Sequence, residues 1–87
     1  MTDTIKIVKA LETVAGTTVR AWQDRYYVNF DAARGSRANG DLRTKVWIKG
    51  DTLTVELGKG YTSDTFNAAL NAVTAAARSV GATVRGA

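Results

Sequence analysis

On either side of Gly50-Asp51 the aliphatic residues fall at every second position, Val46 and Ile48 before the pair and Leu53, Val55 and Leu57 after it. Period two on both flanks of a two-residue turn predicts a β-hairpin. Strands over Asp41–Lys49 and Thr52–Leu57 set Ile48 opposite Leu53, Val46 opposite Val55 and Thr44 opposite Leu57 on one side. On the other side Lys49 meets Thr52, Trp47 meets Thr54 and Lys45 meets Glu56. One side needs cover from water, and the other is polar with a tryptophan in it.

The cover comes from two helical patterns. Ile7, Leu11 and Val14 recur at helical spacing, with Asp3 ahead and Gly16 behind, which predicts a helix from about Thr4 to Ala15. Phe66, Leu70, Val73, Ala77 and Val80 form the stripe of a second helix, capped by Thr62 or Ser63 and ended by Gly81.

Residues 17–30 are β-rich and long for one strand. The polar pair Gln23-Asp24 suggests a turn. With a turn there, Val19, Ala21, Tyr26, Val28 and Phe30 face the core, while Arg20, Trp22, Arg25, Tyr27 and Asn29 face outward. A single strand instead moves Trp22 to the core side. Residues 31–40 have turn composition and no apolar anchor, so a mobile loop carrying Arg34 and Arg37 is expected. A frayed tail is expected over 82–87.

The expected fold is therefore α+β, a single domain over 1–87 in the order α-β-β-β-β-α. Its sheet is antiparallel, with both helices packed on one face. Eighty-seven residues with 45% hydrophobic and 23% charged side chains suit one core. Without cysteine the chain has neither disulfides nor thiolate metal sites, which fits a cytoplasmic setting. Met-Thr-Asp-Thr lacks the order of a secretory signal, and no apolar run nears the roughly 20 residues of a membrane span. A soluble, unprocessed protein is the expectation.

The net charge of +4 is unevenly placed. Between Arg20 and Lys49 stand Arg20, Arg25, Arg34, Arg37, Arg43, Lys45 and Lys49 against Asp24, Asp31 and Asp41, and charges elsewhere cancel. The excess favours an acidic partner. On the outer face Trp22, Tyr27 and Trp47 are interleaved with Arg20, Arg25, Arg43, Lys45 and Lys49. Rings that stack bases beside cations that take phosphates are what nucleic-acid surfaces use. Arg34 and Arg37 extend that surface, since the glycines and polar residues around them let a loop adapt to a phosphate backbone.

The same aromatics also suit a homo-oligomeric or inhibitor-like protein interface, or plain cross-strand stabilisation. Gly58-Lys59-Gly60 before the second helix offers backbone N–H groups to an anion, though two glycines there more simply permit a turn. With no histidine or cysteine, an enzyme is not expected, and no cofactor or metal is indicated. Asp51, Glu56 and Lys59 approach the acidic-acidic-lysine spacing of metal-dependent nucleases, but two residues separate Glu56 from Lys59 instead of one. Glu56 also has Lys45 as a cross-strand partner.

The order helix, antiparallel strands, helix resembles the double-stranded-RNA-binding domain over most of the chain. That family's lysine cluster at the last helix is represented here by Lys59 alone, opposed by Asp64. The open sheet face with Arg and Trp is similar to those of plant AP2-type and integrase arm-binding domains, which read duplex DNA. No run of residues reproduces either motif, so no family is assigned. The sequence thus predicts a small nucleic-acid-binding protein, for DNA or RNA.

Overall fold

The computed structural model describes residues 3–31 and 39–86. The elements are α1 (Thr4–Glu12), β1 (Thr17–Trp22), β2 (Arg25–Phe30), α2 (Asn39–Arg43), β3 (Lys45–Lys49), β4 (Thr52–Glu56), α3 (Asp64–Ser79) and β5 (Thr83–Gly86). The strands form one sheet in the order β1-β2-β3-β4-β5. Among the described residues no helix is long and apolar enough to cross a membrane.

Both hairpins form. Gln23-Asp24 turns the chain, so Val19 pairs with Val28, Arg20 with Tyr27 and Trp22 with Arg25. The second hairpin sets Lys45 against Glu56, Val46 against Val55, Trp47 against Thr54, Ile48 against Leu53 and Lys49 against Thr52. This is the register expected from the alternation. Gln23 adopts φ 55°, a left-handed conformation that costs a non-glycine residue roughly 1–2 kcal/mol and that the tight turn imposes.

Two helices cover one face. Asp3 caps α1 by accepting from the Lys6 N–H at 2.9 Å, and Ser63 caps α3 by accepting from the Phe66 N–H at 3.2 Å. Ile7, Val8 and Leu11 of α1 and Phe66, Val73 and Ala77 of α3 meet Val28, Phe30, Val46, Ile48, Leu53 and Val55 of the sheet. Val14, Val19 and Tyr26 pack at the rim of this core. Helix α1 stops at Glu12, short of Ala15, because the chain must turn through Gly16 at φ 79° to enter β1.

Five expectations about the fold need correction. First, the sheet is mixed rather than antiparallel, because the expected frayed tail contains β5, which runs parallel to β4 with Leu53 beside Val84. The turn after α3 aims it: the Gly81 N–H donates to Arg78 O at 3.0 Å and the Ala82 N–H to Ala77 O at 3.0 Å, the two bonds of a Schellman motif. The Thr83 N–H then reaches Asp51 O at 2.9 Å. The parallel β4-α3-β5 unit also departs from the resemblance to the double-stranded-RNA-binding domain.

Second, residues 39–43 form the short helix α2, so Asp41 to Arg43 do not extend β3. Third, Thr44 does not pair with Leu57 in the sheet. Its hydroxyl donates to Gly40 O and accepts from the Gly58 N–H at 3.0 Å, which pins α2 to the segment after β4. Fourth, Leu57 is not a core residue but 47% exposed, because the chain leaves the sheet there. Fifth, Ala21, expected on the core side, is likewise exposed, since it lies near the hairpin tip.

Gly81 sits at φ 86°, where L side chains are strained. Gly81→Ala is expected to lower unfolding free energy by about 1–2 kcal/mol. A urea midpoint shifted down at constant slope is the readout. An unchanged midpoint would show that the turn does not depend on glycine.

Candidate functional site

The face opposite the helices follows from strand parity, since alternate residues point to opposite sides of a sheet. Pairing across the strands places Arg20, Tyr27, Trp47, Thr54 and Arg85 in one row spanning the whole sheet. One step toward the β1–β2 turn lie Trp22 and Arg25, with Lys49, Thr52 and Thr83 continuing across. One step the other way, Asn29 stands on β2, and Lys45 pairs with Glu56 across β3 and β4.

The rings do not share one environment. Tyr27 and Trp47 are half-buried, with centroids 6.2 Å apart and planes tilted by 51°. The Arg25 guanidinium lies 5.4 Å from the Trp47 ring centroid, a cation–π contact that occupies one side of the indole. Trp22, at the hairpin tip, is 63% exposed. Of the three rings on this face it is therefore the one most open to a partner, while Tyr27 and Trp47 form a packed pair in the next row.

The cations also divide. Asp24 in the turn accepts from Lys49 Nζ at 2.8 Å and from Arg25 Nε at 3.1 Å. These hydrogen bonds, that from Lys49 foremost, lower the Asp24 pKa to about 2. Asp24 therefore keeps its charge at any ordinary pH and holds both cations. Among the described residues no ion pair joins Arg20, Lys45 or Arg85 to a carboxylate; Lys45 and Glu56 stand opposite each other without forming one.

Of the residues singled out in the sequence, Arg20, Trp22, Arg25, Tyr27, Lys45, Trp47 and Lys49 come together on this face. Arg43 does not; it ends α2, ahead of the first residue of β3. Arg34 and Arg37 lie outside the described residues. Arg85 is the residue that sequence reasoning missed. The one signal for it was the alternation Thr83-Val84-Arg85 after a helix-ending glycine, too short to carry weight.

The Gly58-Lys59-Gly60 turn has a structural explanation. A Cβ on Gly58 would lie 2.5 Å from Arg43 Cβ, and one on Gly40 would lie 2.7 Å from Tyr61 O. The glycines let α2 and residues 58–61 approach backbone to backbone. Asp41, only 2% exposed, accepts from the Ser63 N–H at 2.8 Å and anchors the start of α3. Asp51 precedes β4 and Glu56 ends it, about 16 Å apart at 3.3 Å per residue, which separates the two carboxylates of the nuclease-like spacing. Among the described residues no group of three or more histidine, cysteine, aspartate or glutamate side chains gathers as a metal site.

Compared with models of protein families, with curated proteins and with solved structures, the chain matches none.

Proposed function

We propose that the uncovered sheet face binds nucleic acid. The observation that carries this reading is the distribution of charge: Arg20, Arg25, Lys45, Lys49 and Arg85 spread over all the strands of one face but β4, against Glu56 and Asp24, around an exposed Trp22. Phosphates approach the cations, and a base stacks on Trp22, a contact worth roughly 1–3 kcal/mol. A cytoplasmic setting accords with this partner.

The test is a salt titration with single- and double-stranded oligonucleotides, with mass measured in the same buffers. Three cations without an ion pair among the described residues imply that the logarithm of affinity falls against the logarithm of salt with a slope of about −2 to −3. Absence of binding at low salt would refute the proposal. A second reading, that the face packs against a protein or a second copy, draws on the 63% exposure of Trp22. It predicts a stable dimer, or another protein complex insensitive to salt.

Asp24 supplies a test of opposite sign. Asp24→Asn releases Lys49 and Arg25 and removes one negative charge, so affinity at low salt is expected to rise about three- to tenfold with a steeper salt slope. Acid cannot substitute for the mutation. The depressed pKa keeps the native ion pairs intact above the usual 3.8 and loses them only as pH falls through about 2. A drop in affinity for Asp24→Asn would mean that the ion pairs position the cations rather than mask them.

A further inference from the structure

Beside the basic face, where β3 begins and β4 ends, α2 and the segment after β4 enclose an open groove of about 560 Å³. That volume falls within the range of small-ligand sites. Its charged lining is Arg43, Lys45, Lys59 and Glu56, and its apolar lining is Leu42 and Leu57. These leucines are 56% and 47% exposed. Two leucines left in water inside one groove are an unfilled apolar wall.

The groove is preformed. The Gly40 N–H donates to Tyr61 O at 3.1 Å, the Thr44 N–H to Gly40 O at 2.9 Å and the Gly58 N–H to the Thr44 hydroxyl at 3.0 Å. The Asp41–Ser63 bond fixes the same helix at its other side. Binding there spends little on ordering the walls.

We infer that this groove takes one unstacked nucleotide of a single strand, of the kind whose base carries an exocyclic amino group. The inference rests on the nucleic-acid reading of the face, because Lys45 and Glu56 belong to both surfaces and a strand crossing the sheet leaves it at that pair. Arg43, Lys45 and Lys59 meet the phosphate, and no ion pair among the described residues competes for them. The base lies on Leu42 and Leu57. Glu56, a carboxylate set among three cations, accepts from the amino group, as carboxylates do from cytosine N4. Thymine presents a carbonyl at that position, which the carboxylate repels. An acidic peptide fits the cations but leaves Glu56 opposed to like charge.

The experiment compares deoxycytidine and deoxythymidine decamers at low salt, with amide chemical shifts followed over the whole chain. The cytidine decamer is expected to bind about fivefold or more tighter, with shifts at Leu57, Gly58 and Lys59 as well as at Tyr27 and Trp47. Glu56→Ala should abolish the preference while raising thymidine affinity, since it removes a negative charge. Trp22→Ala, by contrast, should weaken both decamers equally. Shifts confined to the sheet face, or equal affinities, would overturn the groove assignment and leave the face reading standing. No binding of either decamer would remove both. Displacement from Leu57–Lys59 by an oligoglutamate, and not by deoxycytidine monophosphate, would assign the groove to a peptide instead.

Discussion

Phe66→Ala is expected to cost about 3–5 kcal/mol of folding stability, the largest effect of any single substitution considered for this chain. The ring is fully buried and packs edge-to-face with Phe30, with centroids 4.9 Å apart and planes at 64°. It joins the first turn of α3 to the end of β2, so truncation opens a cavity between two elements that local contacts do not otherwise hold together. A domain of this length has about 4–13 kcal/mol in total, so the variant would be largely unfolded at the lower end of that range. In calorimetry the midpoint should fall by about 15–35 °C. Leu57→Ala is the matched control: that side chain stands in water, and its loss should change stability by roughly 0.5 kcal/mol or less. A loss below 1 kcal/mol for Phe66→Ala would contradict the packing described.

Replacing Arg20, Lys45 and Arg85 together by alanine is expected to lower nucleic-acid affinity about five-hundredfold at 0.1 M salt. The estimate follows from counterion release, in which each phosphate contact contributes a factor of about eight at that concentration. The slope against salt should flatten by about two to three units. Stability should barely move, because all three side chains are exposed. The single variant Arg85→Ala carries the most information. Its position on the face exists only if β5 joins the sheet, so its share of the loss tests the fold and the function at once. Unchanged affinity in the triple variant would place the binding surface elsewhere or dismiss it.

The second hairpin, its register and the helices α1 and α3 were legible because their signals are local, whereas the polar pair Gln23-Asp24 marked only where a first hairpin would turn. Val46 and Ile48 are separated from Leu53 and Val55 by a two-residue turn, and a slip of one residue would expose all four. Phe66, Val73 and Ala77 repeat within a single helix, so the buried stripe of α3 shows in the chain without reference to its partner. From these elements the outer positions Tyr27, Lys45, Trp47 and Lys49 follow by parity, and Trp22 joins them only because the chain turns at Gln23-Asp24.

Contacts between segments remote in the chain decided the rest. Thr83–Gly86 is too short to announce a strand, and it becomes one only because the Gly81 turn lays it beside β4, where Gly86 at φ 112° passes so close to Val55 that a Cβ would clash with its carbonyl oxygen at 1.8 Å. Residues 39–43 read as loop and strand, yet they form α2 because Gly40 and Gly58 admit a backbone approach and Asp41 holds the Ser63 N–H. Leu57 fits the strand alternation and still ends in solvent, since the chain must leave the sheet where Gly58 meets Arg43. The division of labour on the face was equally invisible: that Arg25 covers Trp47 and that Asp24 holds Lys49 are facts of side-chain geometry across strands. Alternation determines which side a residue takes, because the pleat acts over two positions. What a side chain meets there depends on elements that only folding brings beside it.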